Sequence, residues 1–514
     1  MSKCKITLAR TPRYQERQEK YSIKNNMFSN RNFASFAFFA SLREKINKKP
    51  INLINISYSC SLWVITIFLF INFPIFAQQN TEAARRDIIQ FGTETEIASL
   101  IQALRSENAD FLDDELIALI ANTRNQRILT GVFGFFGERE KSGLEERAIR
   151  AIVEREDETN ETVLSAIDYI GRLKPAEAVP VIIELLNTEE SRFMNGGFRA
   201  LGRAGAVNRE VADEAADFLV DFYTYREPAA DSRSIIITAI GETGSSLGVP
   251  LLVDIATNTD ERFPLRVAAL GALSKIGDEE GVEAILSNVT TNDPNVRSAA
   301  VAALGPFSGE AVDRAILDGF RDSFYRTRIA AAQASRERKL VAAVPFLRFR
   351  AERDDVPTVR DEAIRALGAI ANEEAIETLD NLFSGRRNTD RVRILSGEML
   401  MKNTGDKNFN RLIIELDEAK RANLTNLYNG LLKIVGETVI QGEKTEIENV
   451  AMRFIREGTV IERLYALDMA ANNNLTGLRE HIITLTKDRN ESLARRARRT
   501  AEQLGIEIPE NEEQ

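Results

Sequence analysis

The sequence predicts an all-α fold, an α-solenoid of about thirteen stacked helix pairs. One phrase recurs along the chain, and its clearest copy is Arg297-Ser-Ala-Ala-Val-Ala-Ala-Leu-Gly305. Successive copies start 31 to 42 residues apart, which is enough chain for two short helices and their turns. Nine residues after the glycine position, a proline or an acidic residue marks the start of another helix. A repeat of this length leaves little room for any other fold.

The phrase itself predicts the first helix of each pair. Ala300, Ala303 and Leu304 share one face at helical spacing, and small side chains there allow a neighbouring helix to approach closely. The glycine that follows the last apolar position predicts the end of the helix. The arginine position is held by Arg233, Arg266, Arg297, Arg328, Arg360 and Arg393. The glycine position is held by Gly171, Gly202, Gly241, Gly305 and Gly368, among others.

A second helix is predicted in each pair by an equally regular start. Pro180, Pro250 and Pro345 follow a valine at this point, and proline suits the first helical turn, where backbone N–H groups lack partners. Apolar runs such as Val181–Leu186 come directly after. Because one such pair cannot bury its apolar faces alone, neighbouring pairs must stack.

This pattern resembles the HEAT repeat family, and most closely the short HEAT-like repeats of phycobilin lyases. The likeness covers residues 80–505 and is strongest from 160 to 400. The resemblance implies a right-handed superhelix whose second helices line an inner, concave surface. It also implies that the repeated arginines pair with acidic residues of neighbouring turns, for which Asp293, Asp355 and Asp390 are candidates.

The N-terminal region, residues 1–77, is predicted to be a signal peptide with a long extension. Residues 62–71 are a short apolar core preceded by basic residues, and Phe73-Pro-Ile-Phe-Ala77 suits a cleavage site. The alternative is an uncleaved membrane anchor, although the apolar run is short for a membrane span. We expect irregular helical repeats over 78–160, the regular solenoid over 161–505 and an acidic tail over 506–514.

Composition and charge bound the function. Without residues 1–77 the net charge changes from −10 to −19, which argues against nucleic-acid binding. The remaining chain contains no cysteine and a single histidine, His481. We therefore expect no metal, no cofactor and no His- or Cys-based catalytic group. The phosphate-loop pattern is also missing, because Gly241-Glu-Thr-Gly-Ser-Ser-Leu-Gly248 lacks the lysine that such loops end on.

Two groups of aromatic and arginine residues are candidate contacts for a partner, since such residues dominate the energetics of protein interfaces. The first lies at the end of an unusually long second helix and comprises Phe218, Phe222, Tyr223, Tyr225 and Arg226. The second comprises Phe346, Arg348 and Phe349. Packing of the longer helix into the core is the competing interpretation for the first group.

These observations predict an exported, non-enzymatic scaffold that binds a protein or peptide along its concave surface, in a bacterial periplasm or cell envelope. Because complementary charge accelerates association, an acidic chain favours a partner with a basic face. One alternative is a lyase-like enzyme acting on tetrapyrroles, which only the family resemblance implies. Another is the same scaffold held at the inner membrane by an uncleaved residue 62–76 segment.

Overall fold

The computed structural model describes residues 82–207 and 209–508, and within these ranges all regular structure is helical. Residues from 88 onwards form one compact unit, whereas residues 82–87 belong to a separate unit that is otherwise not described. The described ranges contain no strand and twenty-five α-helices, α1 to α25. The predicted all-α fold is confirmed. The predicted signal segment and the end of the acidic tail lie outside the described residues.

The repeated phrase forms one helix of each pair, the first helix. These helices are mostly 13 or 14 residues long. They are α2 (Glu94–Glu107), α4 (Gln126–Glu138), α6 (Asn160–Leu173), α8 (Ser191–Ala204), α10 (Ala230–Thr243), α12 (Phe263–Ile276), α14 (Pro294–Ala303), α16 (Tyr325–Glu337), α18 (Pro357–Ile370), the N-terminal part of α20 (Asp390–Arg421), α21 (Thr425–Glu437) and α23 (Val460–Asn473).

The second helices vary far more, from seven residues to 17. Pro180, Pro250 and Pro345 all lie in the first turn of one, as predicted. The second helices are α3 (Asp113–Asn122), α5 (Glu145–Val153), α7 (Ala178–Asn187), α9 (Arg209–Tyr225), α11 (Val249–Thr257), α13 (Val282–Asn288), α15 (Glu310–Gly319), α17 (Val344–Arg353), α19 (Glu373–Ser384), the C-terminal part of α20, α22 (Thr445–Glu457) and α24 (Arg479–Leu485).

First helices stack on first helices and second helices on second helices, and this arrangement is an α-solenoid. From α2 to α25, every first helix packs against the first helix of the next pair. Several second helices touch their counterparts in the same way, including α7 with α9, α11 with α13 and α13 with α15. Twelve complete pairs result, and α25 (Glu491–Gln503) occupies the first-helix position of a thirteenth. The helix that precedes them all is α1 (Glu82–Phe91).

One pair is joined differently from the others. In α20 the two helices run into each other without a turn, and Thr404 breaks the helical geometry with φ −142° and ψ 28°. The side chain of Asn403, one residue earlier, donates to the carbonyl of Gly368 in the preceding first helix at 2.8 Å. The bend therefore takes the place of the loop that separates the two helices elsewhere.

Most glycines of the phrase do not end their helices, which corrects the sequence prediction for them. Gly171, Gly202, Gly241 and Gly368 lie inside first helices that continue for two more residues. A Cβ added to Gly241 would lie 2.6 Å from the Cα of Ala272 in the next first helix. Glycine is thus required for the close approach of successive first helices. Gly305 does follow the end of its helix, α14, and so do Gly92 after α1 and Gly505 after α25.

The repeated arginines bind the turns on either side of their own helix pair. Arg328 donates to both carboxylate oxygens of Asp354, at 2.8 and 2.9 Å, and to the backbone carbonyls of Asp322 and Ser323, at 3.1 Å each. Arg297 does the same with the Asp322 carboxylate, and Arg360 donates to the Asp354 carbonyl at 2.7 Å. These contacts form a continuous ladder of arginines and aspartates through three repeats.

The acidic partners of the arginines are mostly not the predicted ones. Asp355 does accept a hydrogen bond from Arg328 at 3.1 Å. Asp293 instead caps α14 through the backbone N–H groups of Asn295 and Val296, and Asp390 is the first residue of α20. In three other repeats the arginine donates to a group other than an aspartate. Arg266 donates to Asn288, Arg393 to Glu415, and Arg233 to the backbone carbonyl of Pro228.

No helix of the described ranges has both the length and the apolar character that a membrane crossing requires.

Candidate functional site

The aromatic group at the end of α9 is divided between the core and the surface. Phe222 is only 4% exposed, and its ring meets that of Phe198 edge to face with centroids 5.0 Å apart. Phe218 is partly buried, and its ring centroid lies 5.9 Å from that of Phe222. Phe222 therefore belongs to the core of its repeat, which corrects its place among the candidate partner contacts.

The remaining members of this group differ in exposure. Tyr225 is 78% exposed, whereas Tyr223 is half-buried. Burial and the nearby Glu261 carboxylate raise the pKa of Tyr223, so its hydroxyl stays protonated at neutral pH. Arg226 covers the ring of Phe222 at 5.1 Å and donates to the side-chain oxygen of Asn187 at 2.8 Å. Of this group, Tyr225 is the side chain best placed to meet a partner.

The second predicted group, on α17, is more exposed. Phe349 is 49% exposed, and the guanidinium groups of Arg350 and Arg353 lie 5.3 and 5.7 Å from its ring centroid. Arg348 is exposed and forms an ion pair with Glu374 at 3.3 Å. Phe346 is partly buried and stacks on Phe320 with ring centroids 5.8 Å apart. Because α9 and α17 belong to repeats four units apart, the two groups do not form one cluster.

A feature that the sequence analysis missed lies between these two groups. The second helices α7, α9, α11 and α13 contain a single basic residue, Arg209. We call their outward surface the acidic face. Its carboxylates are those of Glu184, Glu210, Asp213, Glu214, Asp217, Asp221, Asp254 and Glu283.

The carboxylates of the acidic face have no cationic partner among the described residues. Asp213 accepts a hydrogen bond from Ser245 at 2.5 Å, and the other seven are exposed. Elsewhere, by contrast, exposed carboxylates often pair along their own helix, as Glu310 does with Arg314 at 2.7 Å. Apolar side chains such as Leu251 and Val253 remain partly exposed between the charges. The presence of only one basic residue, Arg209, in four successive second helices was the signal available in the sequence.

A pocket of about 440 Å³ lies beside the bend of α20, but its chemistry is self-contained. Glu398 and Lys402, two of the charged groups that line it, pair with each other at 2.7 Å. The Thr404 hydroxyl donates to the carbonyl of Leu400, and that of Thr438 to the carbonyl of Ile434. Most polar groups of this pocket already have a partner within the chain, so the acidic face and α17 are the stronger candidates.

A metal site needs several His, Cys, Asp or Glu side chains that lie close together. The described residues contain no group of three or more His, Cys, Asp or Glu side chains arranged to hold a metal ion. His481 lies on α24, where the guanidinium of Arg456 donates to its ring nitrogen at 3.3 Å. This contact is one between neighbouring second helices and adds no chemistry to the acidic face.

Several solved structures are similar to this chain at low sequence identity. Solved structures of Kap121p share 10% sequence identity with this chain, cover 82% of it and 53% of their own length, and give a TM-score of 0.40. The structure of Kap121p bound to Ste12p shares 11% identity, covers 84% of this chain and 54% of its own length, and gives 0.39. The chain thus spans about half the length of these structures. No curated protein matches the sequence.

The family assignment comes from the sequence comparison. A family model described as "Spirochaete HEAT repeat protein" matches residues 89–500, a range that contains all twelve complete helix pairs, α2 to α24. The finer likeness to phycobilin-lyase-type repeats stays a prediction. The predicted HEAT repeat family is confirmed, and this chain belongs to the spirochaete HEAT repeat proteins.

Proposed function

We propose that this chain is an exported, non-enzymatic scaffold that binds a protein or peptide partner along its second helices. The observation that carries the proposal is the acidic face, where four successive second helices carry eight carboxylates and a single basic residue, Arg209, and none of the carboxylates forms an ion pair among the described residues. The partner is a segment with a basic face. It lies along the concave surface that second helices line in HEAT repeats.

Electrostatics supports a basic partner. Like charges four residues apart on a helix destabilise it, and α9 has Asp213, Asp217 and Asp221 at this spacing. A bound segment rich in lysine or arginine relieves this repulsion and is attracted over roughly the Debye length, about 8 Å at physiological salt. Tyr225 and the partly exposed apolar side chains between the carboxylates supply the non-polar contacts that an interface also needs.

Export is the second part of the proposal and rests on residues 62–77. The apolar stretch 62–71 and the segment Phe73–Ala77 have the order and lengths of a signal peptide and its cleavage site. N-terminal sequencing of the chain recovered from the cell envelope should begin at Gln78. Recovery of the uncleaved chain in the membrane fraction would instead support the anchored form of the scaffold.

Binding is tested with a synthetic peptide of alternating lysine and serine as the probe. We expect the full chain to bind it at low salt and to lose affinity as salt is raised. The charge-reversed variant Glu214→Lys, Asp217→Lys, Asp254→Lys should lose this binding by at least about tenfold, since several attractive contacts become repulsive.

A matched variant separates this surface from net charge alone. Glu154→Lys, Glu156→Lys, Asp157→Lys makes the same change in charge at exposed residues of the turn between α5 and α6. It should bind the peptide nearly as well as the unmodified chain. Equal losses in both variants would show attraction to overall charge only, and would refute the acidic face as a binding surface.

A further inference from the structure

The aromatic and basic residues around α17 form a preorganised surface, which we call the Arg–Phe patch and define as Arg321, Phe346, Phe349 and Arg353. Phe346 is held between the ring of Phe320 and the guanidinium of Arg321, which lies 5.0 Å from its centroid. Arg350 donates to the backbone carbonyl of Phe320 and ties α17 to the end of α15. Such fixed side chains lose little entropy when a partner binds.

The charge of the Arg–Phe patch is available to a partner. Arg353 is exposed and forms no ion pair among the described residues. Within the described part of the chain Arg321 pairs only with Asp318, and both of these side chains are about two-thirds exposed. Such an exposed pair contributes little, about 0 to 1 kcal/mol, and exchanges easily for another carboxylate. The patch is therefore a positive, aromatic island in the row of second helices.

Helix α15 lies between the acidic face and the Arg–Phe patch, and its charges are largely compensated. α15 follows the last acidic-face helix, α13, and each of its carboxylates has an arginine partner. Glu310 pairs with Arg314 at 2.7 Å, Asp313 with Arg338 at 2.6 Å and Asp318 with Arg321 at 2.8 Å. The row of second helices therefore runs from negative (α7 to α13), through nearly neutral (α15), to positive and aromatic (α17).

We infer that the partner is an extended segment of mixed charge, with a basic stretch on the acidic face and an acidic, aromatic stretch on the Arg–Phe patch. This inference rests on the proposed function and adds the order of charges within the partner. Aromatic groups of the partner pack against Phe349, and carboxylates pair with Arg353 and Arg321. A purely basic segment would use only half of the surface and would meet repulsion at α17.

Helix spacing sets the distance between the two stretches. Helices α13 and α17 are two repeats apart, and packed helices lie about 8–10 Å from each other, so the two sites are about 20 Å apart. An extended chain covers about 3.3 Å per residue. The partner therefore needs a linker of about six residues between its basic and its acidic stretch.

Three synthetic peptides test this inference on the full chain. The first carries the lysine block alone, the second adds a Glu/Phe block after six Gly/Ser residues, and the third adds the same block without the spacer. We expect the second peptide to bind at least about tenfold more tightly than the first, because linked contacts raise the effective concentration of the second site. The third peptide should gain little, since its block cannot reach α17.

A matched pair of variants tests whether the gain in affinity of the second peptide depends on the Arg–Phe patch. Phe349→Ala, Arg353→Glu should abolish the gain of the second peptide and leave the binding of the lysine block unchanged. Phe349 and Arg353 are exposed, so this variant is expected to fold, and a circular dichroism spectrum checks it. Arg387→Glu makes the same change of charge at an exposed residue of the turn after α19 and should keep the full gain.

The outcomes separate this inference from the proposed function. Normal binding of the lysine block without any gain for the second peptide would overturn the mixed-charge partner and leave the proposed function intact. A gain that survives Phe349→Ala, Arg353→Glu would overturn it as well. If the lysine block binds equally well to the charge-reversed acidic face, the proposed function fails and this inference fails with it.

Discussion

The first and second helices of a repeat differ in how much of their surface is packed against other helices. First helices touch the preceding and following first helices as well as their own partner, and they approach so closely that Gly241 meets Ala272 directly. Second helices share these contacts only on their inner side, and their outer positions vary from acidic on α9 to basic and aromatic on α17. We therefore expect stability to depend mainly on the first helices, and the proposed recognition to use the outer face of the second helices.

The largest effect is expected where the arginine ladder crosses between repeats. Asp354→Ala leaves the buried guanidinium of Arg328 without its carboxylate, which should cost about 3–5 kcal/mol of unfolding free energy. Urea denaturation followed by circular dichroism measures it. Asp355→Ala, at a side chain 87% exposed, should change stability by less than about 0.5 kcal/mol. Equal effects would contradict the ladder as the source of stability.

A core residue on a second helix tests whether the inner side of these helices matters as much. Phe222→Ala removes a ring packed against Phe198 and should cost about 3 kcal/mol. Tyr225→Ala, three residues later on the outer side, should stay within about 0.5 kcal/mol. Thermal unfolding of the two variants compares them directly. If Tyr225→Ala proved the more damaging, the assignment of inner and outer sides of α9 would be wrong.

A pH-dependent contribution is expected from Glu462 on the first helix α23. Burial raises the pKa of Glu462, but hydrogen bonds from Lys420, Tyr428 and Thr459 outweigh it and bring the pKa to about 2. Because this value lies below the 4.5 of an unperturbed glutamate, the stabilisation is complete above about pH 5 and lost as pH falls towards 2.

The matching experiment compares Glu462→Gln with the unmodified chain in urea at several pH values. The difference in unfolding free energy should be about 2–3 kcal/mol at neutral pH and should shrink between pH 4.5 and 2. Glu457→Gln, an exposed residue at the end of α22, serves as the control and should show no such dependence. A difference that stays constant with pH would show that the network does not depend on the charge of Glu462.

Close contact between first helices gives a smaller effect. Gly241→Ala places a methyl group 2.6 Å from the Cα of Ala272, so the two helices must move apart at a cost of about 1–3 kcal/mol. Gly271→Ala meets no atom within 4 Å and should stabilise the helix by about 0.5–1 kcal/mol. Opposite signs in the thermal midpoints of these two variants would establish that position, and not helix propensity, decides the result.

The smallest expected change in unfolding free energy is a stabilisation. Asp217→Asn removes the central charge of the Asp213, Asp217, Asp221 series on α9 and should stabilise the chain by a few tenths of a kcal/mol. The same variant should bind the lysine peptide less tightly. A loss of stability here would indicate that Asp217 has a structural role that its exposed position does not suggest.

The sequence predicted the helix pairs because their signals are local and repeated. The partners of the arginines were harder, since Asp322 and Asp354 come 25 and 26 residues after Arg297 and Arg328, in turns whose position depends on the length of the second helix. The glycines were misinterpreted because the same residue suits a helix end and a close helix contact. The spacing alone did not separate the two.

The candidate site was predicted only in part, because helical phase decides which side chains face outwards. Phe222 and Tyr225 are three residues apart, yet one lies in the core and the other is exposed. On a helix as long as α9, apolar residues occur on both sides, and the sequence does not show which side meets the neighbouring repeats. The acidic face was overlooked for another reason: it becomes visible only when four helices distant in sequence are placed side by side.

The contacts of Asp354 in the ladder have a consequence for how the repeats unfold. The side chain of Asp354 holds the arginine of its own repeat, while its carbonyl holds Arg360 of the next. Fraying of one repeat therefore withdraws a ligand from its neighbour, and the coupling between neighbours exceeds what packing alone provides. In hydrogen exchange, the amides of α14, α16 and α18 should open as one cooperative unit, whereas repeats outside the ladder should exchange independently.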